Sequence, residues 1–514
     1  MRKFLIVFCG GLIFYYGVYV SMKNHSNSDL ITMGVRADWG PLTPPEQSTY
    51  IAEIILGNVF ETLVDFDLEG NLRPKLAISW KVSPDLKTYE FILDTSVKFS
   101  NGENLSAQVY KKSLEHSLQM LSASSNPSSL DVLYKLEGFE NFSRDHVLSG
   151  ITTPAEDTLI FKFKTPFRQA LSYLSGIRYA VYQVDSLGKY YGTGPYVLHH
   201  EEKNEVSLKV NPYSTYSPHI KNARIIGISG PQYTWGQAIC EQQFDIVIAL
   251  YPDKFDGCNS SQQYALKMES GAFNMNTAIE INGLKGRFFS NQRMRRAIQY
   301  LILKHAGPIL QKVYDAERVI LDPQMLLPLQ PGRLSDEEAQ NLVNQGEEWV
   351  PELIKASHKH PIQFWVVDKK DQLFKDALSQ EGVVFHKGAH LTNFSDNLER
   401  YYKSYDFDLI GGGAGVGGYD PDDLYHYLGK NGSITSPAVG REKVWETLEE
   451  GRSVHEQNQL KKIYEEFSQA VLLEVPIIHL AHSRIGFFYN IKKIKMDQDT
   501  VNYYRFGFLH FSTM

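Results

Sequence analysis

Asn58-Val-Phe-Glu-Thr-Leu-Val64 is the most informative stretch of this chain, and its neighbours on both sides give it meaning. Upstream, from Gln47 to Phe60, Ile51, Ile54, Ile55 and Val59 recur at helical spacing, which predicts a helix that buries one face and ends inside the stretch. Before that helix, residues 29–38 read as a short strand, and Gly40-Pro41 with Pro44-Pro45 force an irregular turn carrying Trp39. Downstream, Tyr89-Glu-Phe-Ile-Leu93 reads as a strand and Asn101-Gly102 as a turn. Ser106 then caps a helix whose Leu114, Leu118 and Leu121 face inward.

Working outward, the serine-rich run Ser122–Ser129 is a polar connector, and residues 158–163 and 205–210 read as further strands. Between them, Gly192-Thr-Gly-Pro-Tyr196 allows a tight backbone path. Phe244–Leu250 reads as a buried strand preceded by a helix. From Asn291 to Leu303, Met294, Ala297, Ile298, Leu301 and Ile302 make a helical stripe, with Arg293, Arg295 and Arg296 expected on a solvated face. Strand and helix then alternate afresh through Gln363–Val367, Leu373–Leu378 and Gly382–Phe385, which implies a second α/β lobe. Tyr405–Ile410 runs into the glycine cluster 411–418, read as letting backbone approach a ligand or partner lobe closely, or as a surface loop. Leu460, Ile463, Tyr464, Phe467 and Val471 predict a late amphipathic helix.

A chain of 514 residues exceeds one compact core. Its formal net charge of −7 withholds the electropositive field that nucleic-acid binding uses. Met1, Arg2 and Lys3 precede an apolar run from Phe4 to Val20, the pattern of an export segment within residues 1–28. The run falls between a signal-peptide core and a full membrane span, so a cleaved signal and a retained anchor both stay open. Cys9 lacks the small residues that precede a lipidated cysteine. Cys240 and Cys258 are either one disulfide or two separate thiols.

Searches for catalytic chemistry return little. The glycine cluster lacks the Lys-Ser or Lys-Thr of a phosphate loop, and there is no His-Glu-x-x-His and no Cys-x-x-Cys. Of the histidines, His358-x-His360 would share a face if placed on a strand, whereas His199-His200 would not. Gly227-Ile-Ser-Gly-Pro231 fails the nucleophile-elbow pattern at its last position. No cofactor is called for, and no residue is assigned a catalytic role.

The order and spacing of Asn58–Val64, Gly70, Pro74-Lys-Leu-Ala77, Trp80, Ser83-Pro-Asp85, Tyr89-Glu-Phe91, Val97-Lys-Phe99 and Asn101-Gly102 resemble the family 5 solute-binding proteins of bacterial ABC transporters. The resemblance continues through Gly192–Tyr196, Asn211-Pro-Tyr213, Phe244-Asp-Ile246, Phe273–Thr277, Arg293–Ile298 and Tyr405–Asp408. It implies a two-lobed α/β fold of the periplasmic-binding-protein kind, type II, in the large cluster with an extra inserted subdomain. Lobe one would comprise residues 29–57, 188–280 and 482–514, the inserted subdomain 58–187, and lobe two 281–481. A hinge near Asn276 and Leu480 would let the lobes close over a solute.

The implied function is capture of a peptide or peptide-like solute outside the cytoplasm for an ABC permease, by a monomer and without catalysis. Alternatives are a sugar or metal-chelate binder, or a membrane-anchored sensor or structural protein without transport. Peptide-binding members hold the peptide amine with an aspartate three positions before an Asp-Pro or Glu-Pro pair. Here Asp420-Pro421 supplies the pair, but Gly417 stands where the aspartate belongs and Ala414 replaces a tryptophan. Asp420 and Asp422 are the candidate substitutes, and Trp39, Tyr233, Trp235, Trp365 and Tyr419 the aromatic cleft candidates.

Overall fold

A computed structural model describes residues 30–513 apart from 38, 48, 68–70, 123–130, 229–233, 250–262, 269–274, 315, 328–329, 388–405, 416–420, 431–440, 455, 485, 497–506 and 509–510. Residues 1–29, with the expected export segment, lie outside the described residues. Among the described residues no helix is long and apolar enough to cross a membrane.

Three main sheets organise the chain. The first has seven strands, in the order Tyr196–Glu202, Glu205–Val210, Asn222–Ile228, Leu30–Arg36, Ile246–Ala249, Gly486–Asn490 and Tyr264–Met268. Its central trio is parallel and its flanks are antiparallel. Ile31, Met33 and Val35 are fully buried on one face, the period-two pattern of a strand with a core beneath it. Helix Tyr50–Gly57 covers that face with Ile51, Ile54 and Ile55, and is capped by the Thr49 hydroxyl, which accepts the Ala52 N–H at 3.1 Å.

A four-stranded antiparallel sheet, Ala77–Val82, Thr88–Leu93, Thr158–Lys162 and Ile151–Thr152, carries its own core with helix Ala107–Ser122. The third sheet has five strands, in the order Val319–Leu321, Ile477–Ser483, Met275–Ile281, Leu409–Gly415 and Phe364–Trp365. Helix Gln292–Val313 packs on it through Met294, Ala297, Ile298, Leu301 and Ile302.

Asn58 ties three distant segments together. Its amide donates to Ile54 O at 2.8 Å and accepts the Phe508 N–H at 3.0 Å, while its backbone carbonyl accepts the Tyr196 N–H at 3.0 Å. The glycines of 192–196 act at this crossing. A Cβ at Gly192 would lie 2.0 Å from Val59 O, and one at Gly194 2.7 Å from Val59 C, so only hydrogen leaves room for the chain to pass.

Two expectations need correction. Arg295 and Arg296 are not solvated but buried: Arg295 donates to Phe289 O, Ser290 O and Glu474 O, and Arg296 donates to Leu342 O beneath the Trp349 ring. Each guanidinium satisfies carbonyls in the last turns of helical segments that would otherwise be desolvated without a donor. The glycine run, over Leu409–Gly415, is not a surface loop but an interior strand between Met275–Ile281 and Phe364–Trp365. A Cβ at Gly411 would fall 1.8 Å from Asp371 Oδ2, which accepts the Val367 and Asp368 N–H groups in the capping box of helix Lys369–Gln380. His358 and His360 sit exposed at the C-terminal end of helix Val350–Lys359, so the strand geometry that would let them chelate does not arise.

The expected hinge residues lie inside paired strands of the third sheet. The chain passes between the first and third sheets after Met268 and after Ser483, so Asn276 and Leu480 adjoin the crossings from the third-sheet side. Leu480 is the extra residue of a bulge opposite Thr277 and Ala278, which turns His479 and His482 to one side with ring centroids 4.4 Å apart. His479 Nδ1 lies 2.7 Å from the Asp322 carbonyl, and Asn276 Oδ1 lies 2.9 Å from both His479 Nε2 and His482 Nδ1. Burial first, and His482 second, push His479 down to about 3, so its ring is neutral. A neutral His479 that donates from Nδ1 must accept at Nε2. Half a turn of the Asn276 amide presents NH2 to both rings and satisfies this requirement. Burial would raise Asp322, but the His482 hydrogen bond and the charge of Arg333 act against it, and the carboxylate stays below its ordinary range.

Asn58→Ala should lower stability by about 2 to 4 kcal/mol in urea unfolding, because it strands two buried backbone groups. His479 binds its proton more weakly folded than unfolded. Its contribution is therefore complete above about pH 6.5 and is lost as pH falls toward 3, at up to about 1.4 kcal/mol per pH unit. Unfolding titrations between about pH 5 and 7 should show a shallower pH slope in His479→Gln than in the parent.

Candidate functional site

The two crossings make the first and third sheets a pair of bodies joined by two strands, and the space between them is the candidate site. Side chains of the four-stranded unit reach the helices of the third-sheet body there. Helix Ala170–Leu174 begins where Phe167 closes off the unit's aromatic core, and this places Tyr173 at the boundary. The Tyr173 hydroxyl donates to Asp422 Oδ2 at 2.9 Å and accepts from Arg452 Nη2 at 2.5 Å. Arg452 also donates to both Asp422 oxygens, from Nε at 2.7 Å and Nη2 at 3.1 Å, and its guanidinium faces the rings of Phe167 and Tyr173 at 5.9 and 5.7 Å. The side chains of Arg452 and Asp422 are only 3% and 1% exposed. At the rim, Lys135 Nζ meets Glu449 Oε1 at 3.4 Å, and Arg168 N–H donates to Arg452 O at 3.4 Å.

Arg178 follows on the same segment, in the turn Ile177–Tyr179. It is half-buried, and burial pushes its guanidinium below the usual arginine range, opposed by Tyr179, by Glu53 of the first body and by Tyr427 of the second. Influence from both bodies puts it in the seam. Unlike Arg295, Arg296 and Arg452, it has no hydrogen-bond or ion-pair partner among the described residues. A deeply set cation with part of its surface free can receive an anionic group.

The residues expected to line the cleft are dispersed. Trp39 is 3% exposed, tied through its carbonyl to the Thr49 hydroxyl at 2.8 Å and packed where a Gly227 Cβ would come within 3.1 Å of its ring. It also borders a surface recess of ≈ 490 Å³ with Gly40, Glu201, Glu202 and Lys203. Trp365 packs on Phe407 and Ile410 inside the third-sheet body. Asp422 is not a spare carboxylate for a ligand amine, since Arg452 already neutralises it. Trp235 belongs to helix Thr234–Cys240, and its side chain lies outside the described residues, as do Tyr233, Gly417, Tyr419 and Asp420. Cys240 is disulfide-bonded, and Cys258 lies outside the described residues. Among the described residues no group of three His, Cys, Asp or Glu side chains could hold a metal ion. Sequence reasoning misses Arg178, Tyr173 and Arg452. The available signal is an arginine inside the apolar run Ile177-Arg-Tyr-Ala-Val-Tyr182.

Comparison with known proteins agrees with this architecture. Residues 71–318 match the family described as bacterial extracellular solute-binding proteins, family 5 middle. A putative binding protein of Haemophilus influenzae is 27% identical over 197 residues, 37% of this chain and 36% of that protein, so the alignment spans little more than a third of the relative. Among solved structures, Haemophilus influenzae OppA in complex with RPPGFSPFR superposes with a TM-score of 0.75 at 16% identity, covering 95% of this chain and 99% of that one. NikA from Staphylococcus aureus in complex with Ni(L-His)2 gives 0.75 at 17% identity, covering 95% and 100%. The chain thus carries a middle segment similar to family 5 of the bacterial extracellular solute-binding proteins, and it shares the fold of the OppA and NikA structures over nearly its whole length.

Proposed function

We propose that the protein is the extracytoplasmic binding component of an ABC transporter, which captures a peptide-like or other small solute bearing a carboxylate between two closing lobes. Lobe one would be the first sheet, residues 58–187 its inserted subdomain, and lobe two the third-sheet body, with the boundaries moved to the crossings after Met268 and Ser483. The observation that carries the reading is Arg178, a cation without a partner among the described residues, set between groups of both lobes. A ligand that touches both lobes favours closure by its extra affinity for the closed form, and pairing with a desolvated guanidinium supplies such a difference.

The charge pattern argues against a ligand held chiefly by its amine. Gly417 replaces the aspartate of peptide-binding members, and Asp422 is occupied by Arg452. The OppA and NikA structures hold a peptide and a nickel–histidine complex, so one fold serves both a free peptide and an amino-acid chelate in those proteins. Release to permease subunits completes the role, which requires no bond making. The N-terminal segment would export the protein or hold it at the membrane, and a monomer suffices.

Native mass spectrometry of the purified protein should reveal a co-purified solute that carries a carboxylate. Arg178→Gln should weaken binding of that solute by about 100-fold in calorimetry while leaving the melting temperature of the empty protein nearly unchanged. A solute without an anionic group, or one consumed on incubation, would refute the assignment.

A further inference from the structure

We infer that Tyr173 is a closure-positioning residue, the movable half of a latch whose two charges both travel with lobe two; this deepens the clamp reading above and rests on it. Asp422 and Arg452 lie thirty positions apart on the same lobe and hold each other through two hydrogen bonds. Their burial, in contrast, is completed by lobe one, although Tyr425 of their own lobe already lies against the guanidinium. Phe167 and Tyr173 cover the guanidinium, and the Tyr173 hydroxyl bridges donor and acceptor, giving a proton to the carboxylate side and taking one from the guanidinium side.

The division of charge sets how the latch works. If the cation sat on one lobe and the anion on the other, opening would tear apart a desolvated pair, at severe cost. Here opening leaves the pair intact and returns part of it to water; what breaks includes the two bonds to one neutral hydroxyl and the Arg168 N–H bond to Arg452 O. Hydrogen bonds to charged groups are stronger than neutral ones, so Tyr173 favours the closed form without trapping it. The rim pair Lys135–Glu449, partly exposed on both sides, adds a weaker contact that salt screens. Burial would raise Glu449, but its neighbours, Lys135 foremost, outweigh it and hold the carboxylate below its usual range, as expected for a contact made in the closed form.

The test uses the full exported chain without any solute. Small-angle scattering should show Tyr173→Phe more extended than the parent, corresponding to a roughly tenfold shift of the closed-to-open ratio. Tyr191→Phe, which removes a hydroxyl bonded to Asp185 within lobe one, should scatter like the parent. Lys135→Glu should open the protein in low salt, and adding Glu449→Lys should restore the parent profile, which covers the case in which Tyr173→Phe folds poorly. If Tyr173→Phe and Lys135→Glu both scatter as the parent does while a bound solute still compacts all three, the latch is overturned and the clamp survives. If no protein changes dimensions under any condition, both fail together.

Discussion

The side chain of Asn58 is the constraint on which the rest of the molecule depends. It stands where the first helix ends, where the chain returns from the inserted unit along 192–196, and where the last segment passes Phe508. Three stretches far apart in the chain are thus fixed to one another at a single buried residue. The two glycines beside it let backbone meet backbone at that node. Without such a fastening, the long insertion between the first helix and the rest of its own lobe would leave the lobe's segments free to drift, and the seam that depends on their placement would lose its shape.

Legibility in the sequence follows burial geometry. Residues whose role is set by period and turn chemistry are readable: Leu114, Leu118 and Leu121 line one helix face, Ser106 caps it, and Ile51, Ile54 and Ile55 cover the first sheet. Residues whose role is set by distant partners are not. Arg295 and Arg296 lie on a helix side that any pattern assigns to water, yet helix-end carbonyls of residues 289–290, 342 and 474 close over them. The glycines at 411–415 look like a loop because nothing local reveals that Asp371 and Glu280 stand where a Cβ at Gly411 or Gly412 would go.

The site shows the same division more sharply. Trp39 and Trp365, aromatics expected in a cleft, serve the interiors of the two bodies, since a large ring is as useful to a core as to a pocket. The seam instead uses Tyr173, Arg178, Asp422 and Arg452, drawn from two parts of the chain that no local pattern connects. Asp422 draws attention by its charge, but its significance reverses once Arg452 is seen against it: its carboxylate is already paired and buried.

The first sheet also bears on how the protein is made. Strand Gly486–Asn490 lies between Ile246–Ala249 and Tyr264–Met268, so the sheet has a missing rung until nearly the whole polypeptide has been synthesised. A nascent chain cannot finish this sheet early. Late arrival of that strand leaves the sheet open between Ile246–Ala249 and Tyr264–Met268 until the end of the chain supplies the partner both require.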